Sequence, residues 1–456
     1  MMKFFAALLA VCCFTALAVA PAAKPAAKKA STKKRPAARS SVPKPPPTTA
    51  EQRAIATSSV HNRIDSSVEL GIQNASAMVP FYEMLYRLET TPGAEPVRVL
   101  QFGDSHTASD DWTAVIRARF QQKFGDGGPG FTQAGHPYLG YRRYDSKGAM
   151  TRGWKPVGLL AREGDGWYGL AGVGLDAKLA GQAISLEAEG TSVEVFYLRQ
   201  PGGGRITLSE NGVPIETIPT DDETGPGYFR HELPAGPHSL SLRTEDNLPV
   251  RVFGWVLEKP HGITWETLGV NGAQADLLLL QQGSLLRNHI ARRNPALVIL
   301  AYGTNEARRP DWTVESYKAT LHRVITLVRE AAPSASILIV GAPDQMLRSR
   351  RRIVPLDGID RILTAQRDAA LSYGCGFWNL RTAMGGPQSM KQWVQAGMAQ
   401  GDFVHFTSPG YRLLGDALFE LLTGQYGVFQ SVRKQLIGTS ENGPQSTTHS
   451  DHSGRN

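Results

Sequence analysis

Four short segments, far apart along the chain, contain residue types that could together perform nucleophilic catalysis. They are Gly103-Asp104-Ser105-His106, Gly269-Val270-Asn271-Gly272, Gly303-Thr304-Asn305-Glu306 and Asp402-Phe403-Val404-His405. A serine hydroxyl is a weak nucleophile, so it needs a base, and an imidazole base works best when a carboxylate holds its tautomer. In chain order the segments could supply a nucleophile, two oxyanion-hole groups, and a base with its orienting carboxylate. Together they predict a serine hydrolase.

Within these segments, His405 is the predicted base and Asp402 the carboxylate that orients it. An Asp-x-x-His pair on its own would favour a structural histidine, because the chain has 11 histidines. The other segments reverse that judgement. The backbone N–H groups of Ser105 and Gly272 and the side-chain amide of Asn305 could donate to one oxyanion. Taken singly, Asn305 could cap a helix and Gly272 could lie in a turn, so only the joint occurrence predicts catalysis.

These groups can meet only if strands deliver them to one place. Val97 to Phe102 is an apolar run that ends just before Ser105, and Ala296 to Leu300 is a second one before Asn305. Helical periodicity alternates with such runs. The predicted helices cover about 112–124, 273–293, 314–331, 359–372 and 409–422. Strands alternating with helices of this length predict an α/β fold, whose parallel sheet would gather the catalytic groups at its carboxyl edge.

Residues 150–261 differ in composition and interrupt this alternation of strands and helices. This region is rich in Gly, Ser and Thr with alternating apolar residues, and Asn211-Gly212 predicts a hairpin turn. Several short strands at close intervals predict an inserted all-β domain, a β-sandwich or jelly roll. Its large aromatic residues could stack on sugar rings, although aromatics at alternating strand positions more often fill a core. They are Trp154, Trp167, Tyr168 and Trp255.

The two ends of the chain differ in composition from the rest. Residues 1–20 contain a lysine and an apolar run that ends in small residues, which predicts a secretory signal peptide; a retained anchor is the alternative. Residues 21–50 are rich in Pro, Ala and Lys, with basic but no acidic residues, and predict a disordered spacer. Residues 51–95 predict a helical lead-in, and residues 426–456 a disordered tail.

The net positive charge of the chain comes from that spacer. Its excess of basic residues accounts for the whole formal net charge of +8, so the remainder of the chain is near neutral. A basic spacer could associate electrostatically with the anionic cell envelope. Nucleic-acid binding is not expected, because it would require a basic face on the folded part.

The four segments resemble the sequence blocks of the SGNH or GDSL hydrolases, a family named for Ser, Gly, Asn and His. Ser105 lies in the segment similar to the nucleophile block, Gly272 in the second, Asn305 in the third and His405 in the last. The resemblance covers roughly residues 97–149 and 263–422. It implies a flavodoxin-like three-layer α/β/α domain, catalysis by Ser105, His405 and Asp402, and no metal or cofactor.

Two departures from the commonest pattern resemble one branch of this family, the bacterial envelope peptidoglycan O-acetylesterases. They are the long insertion and His106, where Leu is usual; His106 could line the pocket or fill space beside the turn. The resemblance implies a discontinuous hydrolase domain of residues 96–149 and 262–425 around a jelly roll similar to a carbohydrate-binding module. It also implies a periplasmic or cell-envelope esterase that removes O-acetyl groups from a polysaccharide, with peptidoglycan the first expectation.

Three classes of function stay open at this point. The first is the carbohydrate O-acetylesterase, whose partner would be a cell-wall glycan or another acetylated polysaccharide. The second is an acetyltransferase or a lipid acyl-esterase that uses the same serine. The third is a non-catalytic glycan-binding scaffold, which the presence of all four segments disfavours.

Overall fold

The computed structural model describes residues 43–158, 164–349 and 352–441. The predicted signal peptide, most of the predicted spacer and residues 442–456 of the predicted tail lie outside the described residues. Ten α-helices and sixteen strands are found in the described part. The helices are α1 (Ala50–Leu70), α2 (Val79–Thr90), α3 (Ser105–Ala108), α4 (Asp111–Phe124), α5 (Gly283–Arg293), α6 (Val314–Ala331), α7 (Gly358–Ser372), α8 (Leu380–Ala383), α9 (Met390–Gln395) and α10 (Ser408–Glu441).

The strands and the short 3-10 helices complete this inventory. The strands are β1 (Val97–Gly103), β2 (Gly130–Gln133), β3 (Lys147–Met150), β4 (Lys155–Gly158), β5 (Val173–Ala177), β6 (Ala183–Arg199), β7 (Arg205–Glu210), β8 (Val213–Pro219), β9 (Gly225–Thr244), β10 (Val250–Glu258), β11 (Ile263–Gly269), β12 (Leu297–Ala301), β13 (Ser336–Val340), β14 (Met346–Ser349), β15 (Arg352–Pro355) and β16 (Gly376–Trp378). The 3-10 helices are Ala75–Met78, Ala275–Leu280 and Glu306–Arg308.

A five-stranded parallel sheet forms the centre of the α/β part, in the order β11-β1-β12-β13-β16. Its alternate residues divide between two apolar cores. Val99 and Ile299 belong to the core that includes residues of α2, α4 and α10, whereas Leu100 and Val298 belong to the core that includes residues of α5, α6 and α7. Because successive side chains of a strand point to opposite faces, helices cover both faces. The predicted three-layer α/β/α fold is confirmed.

Within this sheet, β1 lies between β11 and β12. Gly103 at the end of β1 is paired with Gly269 on one side and with Ala301 on the other. The carboxyl ends of three adjacent strands therefore stand level at one edge. The loops that carry Ser105, Gly272 and Asn305 leave from that edge.

The short helix α3 packs directly on the strand ends because two glycines leave room for it. A Cβ atom on Gly103 would lie 2.2 Å from Thr107 Oγ1, and one on Gly269 would lie 2.2 Å from the backbone nitrogen of Ala108. The first obstacle is a side-chain atom, but the second is backbone and cannot rotate away. The glycine at position 269 therefore permits the approach of the helix that begins at Ser105.

A nine-stranded sheet forms the β region, in the order β4-β5-β10-β6-β9-β7-β8, with β2 also paired to β10 and β3 to β6. Its described strands make one hydrogen-bonded sheet, in which β6 and β9 pair along most of their length with an irregularity between Gly190 and Ser192. It has its own apolar core, in which Trp154 and Trp255 are buried. These two aromatics thus serve the core.

The first strand of the β region begins at Gly130, so the start of this region, which was predicted at residue 150, needs correction. β2 pairs with β10, where Gln133 lies opposite Gly254, and β3 pairs with β6. A strand of four residues shows too little alternation to be recognised, and its partner lies more than a hundred residues away. Pairing at that distance cannot be inferred from the local pattern.

A buried ion-pair network joins the β region to the α/β part. Glu258, the last residue of β10, accepts from Arg98 of β1 at 2.7 and 3.0 Å and also pairs with Arg293 of α5. Arg293 also contacts Glu266 of β11. Although burial opposes it, the Arg293 and Arg98 guanidinium groups hold the pKa of Glu258 at about 2. The junction is therefore fixed by charges that are largely removed from water.

Two helix predictions need correction. The predicted helix 273–293 is a 3-10 helix followed by extended backbone at Gln281, and α5 starts only at Gly283. The predicted tail is helical to Glu441, because α10 continues through residues 426–441. Gly424 and Gly427 reduce the helical signal in the sequence.

Contacts with α2 stabilise this continuation of α10. Tyr426 is buried and its hydroxyl donates to Glu89, while Arg433 pairs with Glu83 at 3.0 Å. These partners lie far away in sequence. The helical lead-in predicted for residues 51–95 consists of α1, a 3-10 turn and α2. In the part of the chain that is described, no helix is both long and apolar enough to cross a membrane.

Replacing Gly269 by Ala should lower the free energy of unfolding by about 1–3 kcal/mol, because the new methyl group would overlap the backbone of α3. Denaturant unfolding measures the change. Gly424→Ala is the matched control: nothing lies within 4 Å of its added Cβ in α10, so it should be neutral or up to about 1 kcal/mol stabilising. Equal stability of Gly269→Ala and wild type would contradict the assigned packing.

Replacing Glu258 by Gln should lower the free energy of unfolding by about 3 kcal/mol at neutral pH, because Arg98 and Arg293 would lose a buried counter-charge. The folded pKa of about 2 lies below the ordinary value of 4.5, so the stabilisation is present above pH 4.5 and is lost as pH falls toward 2. The difference between wild type and variant should therefore shrink through that window.

The matched control for this pH series is Glu187→Gln. Glu187 lies on the exposed surface, 3.9 Å from Lys147, where an ion pair contributes about 1 kcal/mol or less. Chemical denaturation at several pH values measures both variants. A difference between wild type and Glu258→Gln that stays constant from pH 7 to 2 would show that the charge of Glu258 does not stabilise the junction.

Candidate active site

The structure brings Ser105, His405 and Asp402 into one hydrogen-bonded chain. The Oγ atom of Ser105 lies 3.0 Å from Nε2 of His405, and Nδ1 of His405 lies 2.7 Å from Oδ2 of Asp402. The three residues come from two parts of the sequence, 300 positions apart for Ser105 and His405. In this geometry the imidazole can accept the serine proton at Nε2 while the carboxylate holds Nδ1–H.

The Asp402–His405 segment is a tight turn that fixes the carboxylate as well as the ring. Oδ1 of Asp402 accepts from the backbone N–H groups of Val404 and His405 at 3.0 and 3.1 Å, which leaves Oδ2 for the imidazole. Phe403 adopts a left-handed backbone with φ of 61°, which is uncommon for a bulky residue. Its buried side chain and the 3.1 Å bond from the backbone N–H of Met346 to its carbonyl hold it there.

These contacts favour the ionised form of Asp402. Burial alone would raise its pKa, but the hydrogen bonds from the His405 side chain and from two backbone amides outweigh burial and lower the pKa of Asp402 below its usual value. The carboxylate is therefore negative at neutral pH. A negative partner stabilises the imidazolium that forms when His405 takes a proton.

Ser105 is the first residue of α3, immediately after β1. Asp104 caps this helix, since its Oδ1 accepts from the backbone N–H of His106 at 3.0 Å. Asp104 is buried, and burial raises its pKa to about 6. The backbone N–H of Ser105 lies in the first helical turn and has no acceptor within the helix, so it remains available to an oxyanion.

Gly272 and Asn305 lie on the loops that follow β11 and β12, on either side of β1. Gly272 has φ of 77°, a left-handed conformation that favours glycine, and nothing lies within 4 Å of the position that a Cβ would take there. Asn305 donates from Nδ2 to the carbonyl of Ala273 at 2.8 Å. Because a carboxamide nitrogen has two N–H groups, this bond orients the amide and leaves a second donor. As predicted from the sequence, these loops leave from one edge of the sheet.

Glu306 is a buried residue beside Asn305 to which the sequence analysis assigned no role. Its Oε1 accepts from the backbone N–H of Ala275 at 2.9 Å and from the Tyr317 hydroxyl at 3.0 Å, and its Oε2 accepts from the backbone N–H of Gly303 at 3.1 Å. One buried carboxyl thus braces the loop before Ala275 and the loop that carries Asn305. Burial raises the pKa of Glu306 to about 7. Its position directly after Asn305 was the only sequence signal.

His106 packs against His405 and is also one of the residues that line a small cavity beside it. Its ring centroid lies 5.3 Å from that of His405 and 5.5 Å from that of Phe406, and its Nδ1 lies 2.9 Å from the hydroxyl of Tyr411. Burial, assisted by His405, lowers the pKa of His106 to about 3. His106 is therefore neutral at neutral pH and leaves His405 as the histidine that faces the serine.

No group of His, Cys, Asp and Glu side chains among the described residues is arranged to hold a metal ion. The groups that the structure does bring together are the Ser105 hydroxyl, the His405 imidazole and the Asp402 carboxylate.

Comparison with known proteins identifies a matching family and similar solved structures. The model of the GDSL-like Lipase/Acylhydrolase family matches residues 235–413. A solved structure of a peptidoglycan O-acetylesterase in action is 30% identical, with 76% of this chain and 96% of that chain covered and a TM-score of 0.65. A family two carbohydrate esterase from Clostridium thermocellum, in complex with cellohexaose, is 15% identical over 44% of this chain and 80% of that chain, with a TM-score of only 0.22. A search of curated proteins finds no significant match.

A parallel α/β/α sheet with serine, histidine and aspartate gathered at its carboxyl edge is the arrangement of a serine hydrolase. The 30% identity over nearly the whole of the solved relative gives the family. This chain belongs to the SGNH hydrolases, the family of GDSL-like lipases and acylhydrolases, and it is an esterase. The family predicted from the four sequence segments is confirmed.

Replacing Glu306 by Gln should lower kcat on an aryl acetate about tenfold to a hundredfold with little change in KM. A carboxamide nitrogen cannot accept from the N–H of Gly303 or Ala275, so one of the two loops would lose its brace and the oxyanion donors would shift. Steady-state kinetics measure the change, and the thermal unfolding midpoint separates lost positioning from lost folding.

The control for this variant is Glu315→Gln, an exposed glutamate in the first turn of α6. It should leave kcat, KM and the unfolding midpoint near their wild-type values. A Glu306→Gln enzyme with wild-type kcat would show that the two loops hold their positions without the carboxylate.

Proposed function

We propose that this esterase is exported to the cell envelope and removes O-acetyl groups from a polysaccharide, with O-acetylated peptidoglycan as the substrate. The hydrogen-bonded chain of Ser105, His405 and Asp402 at the sheet edge carries the proposal for the reaction. The proposal for the substrate is supported by the peptidoglycan O-acetylesterase that is 30% identical over 96% of its length. The signal-peptide character of residues 1–20 supports export.

The proposed reaction has two halves. In the first, Ser105 Oγ attacks the acetyl carbonyl carbon while His405 Nε2 takes the hydroxyl proton, and Asp402 stabilises the imidazolium. The oxyanion accepts hydrogen bonds from the backbone N–H groups of Ser105 and Gly272 and from the free N–H of the Asn305 amide. Collapse breaks the bond to the sugar oxygen, and His405 protonates that oxygen as it leaves.

The second half returns the enzyme to its starting state. Water attacks the acetyl carbonyl of the acetylated Ser105 while His405 accepts its proton, and the same donors hold the second oxyanion. Collapse releases acetate, and the proton on His405 returns to Ser105 Oγ. Each oxyanion-hole donor typically contributes roughly 3 kcal/mol to transition-state stabilisation, so Gly272 and Asn305 together would account for much of the acceleration.

The test measures acetate released from O-acetylated peptidoglycan by the purified protein, beside peptidoglycan that has been chemically de-acetylated. Release should fall to background in Ser105→Ala, which lacks the nucleophile. Asp402→Asn should lower kcat by roughly 10⁴, because an amide favours the wrong tautomer of His405. Both variants keep side chains of similar size, so folding is checked by the unfolding midpoint.

The outcome on a small aryl acetate separates the parts of the proposal. Hydrolysis of the aryl acetate that depends on Ser105, without release from peptidoglycan, would retain the esterase mechanism and reject this substrate. Transfer of acetyl groups to an added glycan in place of free acetate would identify a transferase. Loss of neither activity in Ser105→Ala would overturn the assigned nucleophile.

A further inference from the structure

The hairpin of β14 and β15 starts between the two loops that carry catalytic groups. It follows β13, which lies beside β12 in the parallel sheet. The side chain of Gln345 donates from Nε2 to the carbonyl of Thr304 at 3.0 Å, directly before the oxyanion-hole asparagine. The next residue, Met346, donates its backbone N–H to the carbonyl of Phe403 at 3.1 Å, in the turn that carries the base. Because ligands of such folds bind at the carboxyl edge of the sheet, this hairpin borders the region where substrate must lie.

Three exposed arginines, Arg308, Arg348 and Arg352, form an arginine surface on this hairpin and on the neighbouring oxyanion loop. Arg308 ends the 3-10 helix after the oxyanion-hole asparagine, and its Nε donates to Oε1 of Gln345 at 3.2 Å. Arg348 lies on β14, and its Nη2 donates to the carbonyl of Gly401 at 3.3 Å. Arg352 begins β15. Since a guanidinium group has five N–H donors, Arg308 and Arg348 each keep donors for a further partner.

The charge of the arginine surface is not balanced within the described part of the chain. Acidic side chains near the site pair with other arginines, Asp111 with Arg142 and Asp311 with Arg309. None of the acids in the described ranges forms an ion pair with the arginine surface, and the sequence from residue 345 to 356 contains no Asp or Glu. The chain apart from its basic spacer is near neutral. A local excess of positive charge therefore stands beside the active site.

The chemistry of the arginine surface suits a carboxylate. A guanidinium group is planar and can give two parallel N–H bonds to the two oxygens of one carboxylate. Positive charge beside a cleft also raises the local concentration of an anionic substrate. Gln345 is buried and holds the Arg308 guanidinium, so less side-chain entropy is lost when Arg308 binds a partner.

We propose that the arginine surface binds a carboxylate of the acetylated polymer while the acetyl ester lies at Ser105. The source of the carboxylate rests on the proposed function, because the peptides attached to the glycan of peptidoglycan carry carboxylates. Arg308 and Arg348 are specificity-determining residues: they contact the substrate away from the reacting ester. Such a contact is equally present before and during the reaction, so it lowers KM and leaves kcat unchanged.

The first test compares kcat/KM on O-acetylated peptidoglycan with kcat/KM on the same polymer after its carboxyl groups have been converted to neutral amides. The ratio should be about tenfold for wild type and close to unity for the double variant Arg308→Gln/Arg348→Gln, because each exposed ion pair contributes little and two are removed. Any change that the substitutions cause at the acetyl group itself affects both polymers and cancels in the ratio. Added salt should lower the wild-type ratio, since exposed charges are screened.

Arg323→Gln is the matched control for the loss of positive charge. Arg323 is an exposed arginine in the middle of α6 and has no ion-pair partner among the residues that the structure describes. Its ratio should equal that of wild type. A ratio that is the same in wild type, the double variant and Arg323→Gln would overturn the proposal.

Direct binding separates this proposal from the proposed reaction. Each protein is prepared with Ser105→Ala and sedimented with insoluble peptidoglycan, either intact or amidated. Weaker binding of the double variant to the intact polymer alone upholds the carboxylate site, even if wild type releases no acetate from peptidoglycan. Equal binding of the double variant and Arg323→Gln to the intact polymer overturns it. Binding to the amidated polymer that still depends on the two arginines also overturns it, because another anion such as phosphate would then be the ligand.

A third polymer identifies which carboxylate is bound. Removing the peptides with an amidase leaves a carboxylate on the sugar itself. Loss of the difference between wild type and the double variant on this polymer assigns the carboxylates of the peptides, whereas a difference that persists assigns the carboxylate on the sugar. Both results uphold the arginine surface as a carboxylate site.

Discussion

The close approach of α3 to the ends of β1 and β11 is the contact on which the rest of the site depends. The backbone of Ala108 lies where a side chain on Gly269 would be, so the helix rests directly on the sheet. Because Ser105 begins that helix, its height above the sheet edge is fixed by backbone packing. The level pairing of Gly103 with Gly269 and Ala301 then places the flanking loops at the same height.

The active site combines this packing with several local features that would be unfavourable elsewhere. Asp104 and Glu306 are carboxyl groups buried in the protein, and burial raises the pKa of each. Phe403 holds a left-handed backbone that a bulky residue rarely adopts. Each feature orients a group of the predicted machinery: the nucleophile turn, the oxyanion loops and the Asp402–His405 turn. The large apolar cores on both faces of the sheet supply the stability that allows them.

The β region is joined firmly to the catalytic part. The buried contacts of Glu258 with Arg98 and Arg293 tie the end of β10 to β1 and α5. Two of its tryptophans, Trp154 and Trp255, fill its core and present no free face to a sugar. The insertion and the α/β part are therefore held together by buried charges.

The sequence by itself determined the family and the class of fold. Ser105, Gly272, Asn305 and His405 could be proposed as site residues because catalysis requires those residue types, and the strands before them could be predicted because buried parallel strands are continuous apolar runs. Local patterns also predicted most helices of the α/β part, since periodicity is a property of neighbouring residues. Where the local signal was short, as in β2, or weakened by glycine, as at Gly424 in α10, prediction from the sequence ended too early or missed the element.

Only the tertiary structure decided which groups meet. The register that sets Gly103 beside Gly269, the brace of Glu306 on two loops, and the pairing of Gln133 with Gly254 all join residues distant in sequence. Such contacts depend on how whole elements pack, and no local pattern encodes them. For the same physical reason, the buried state of His106 could be seen only once the chain was folded.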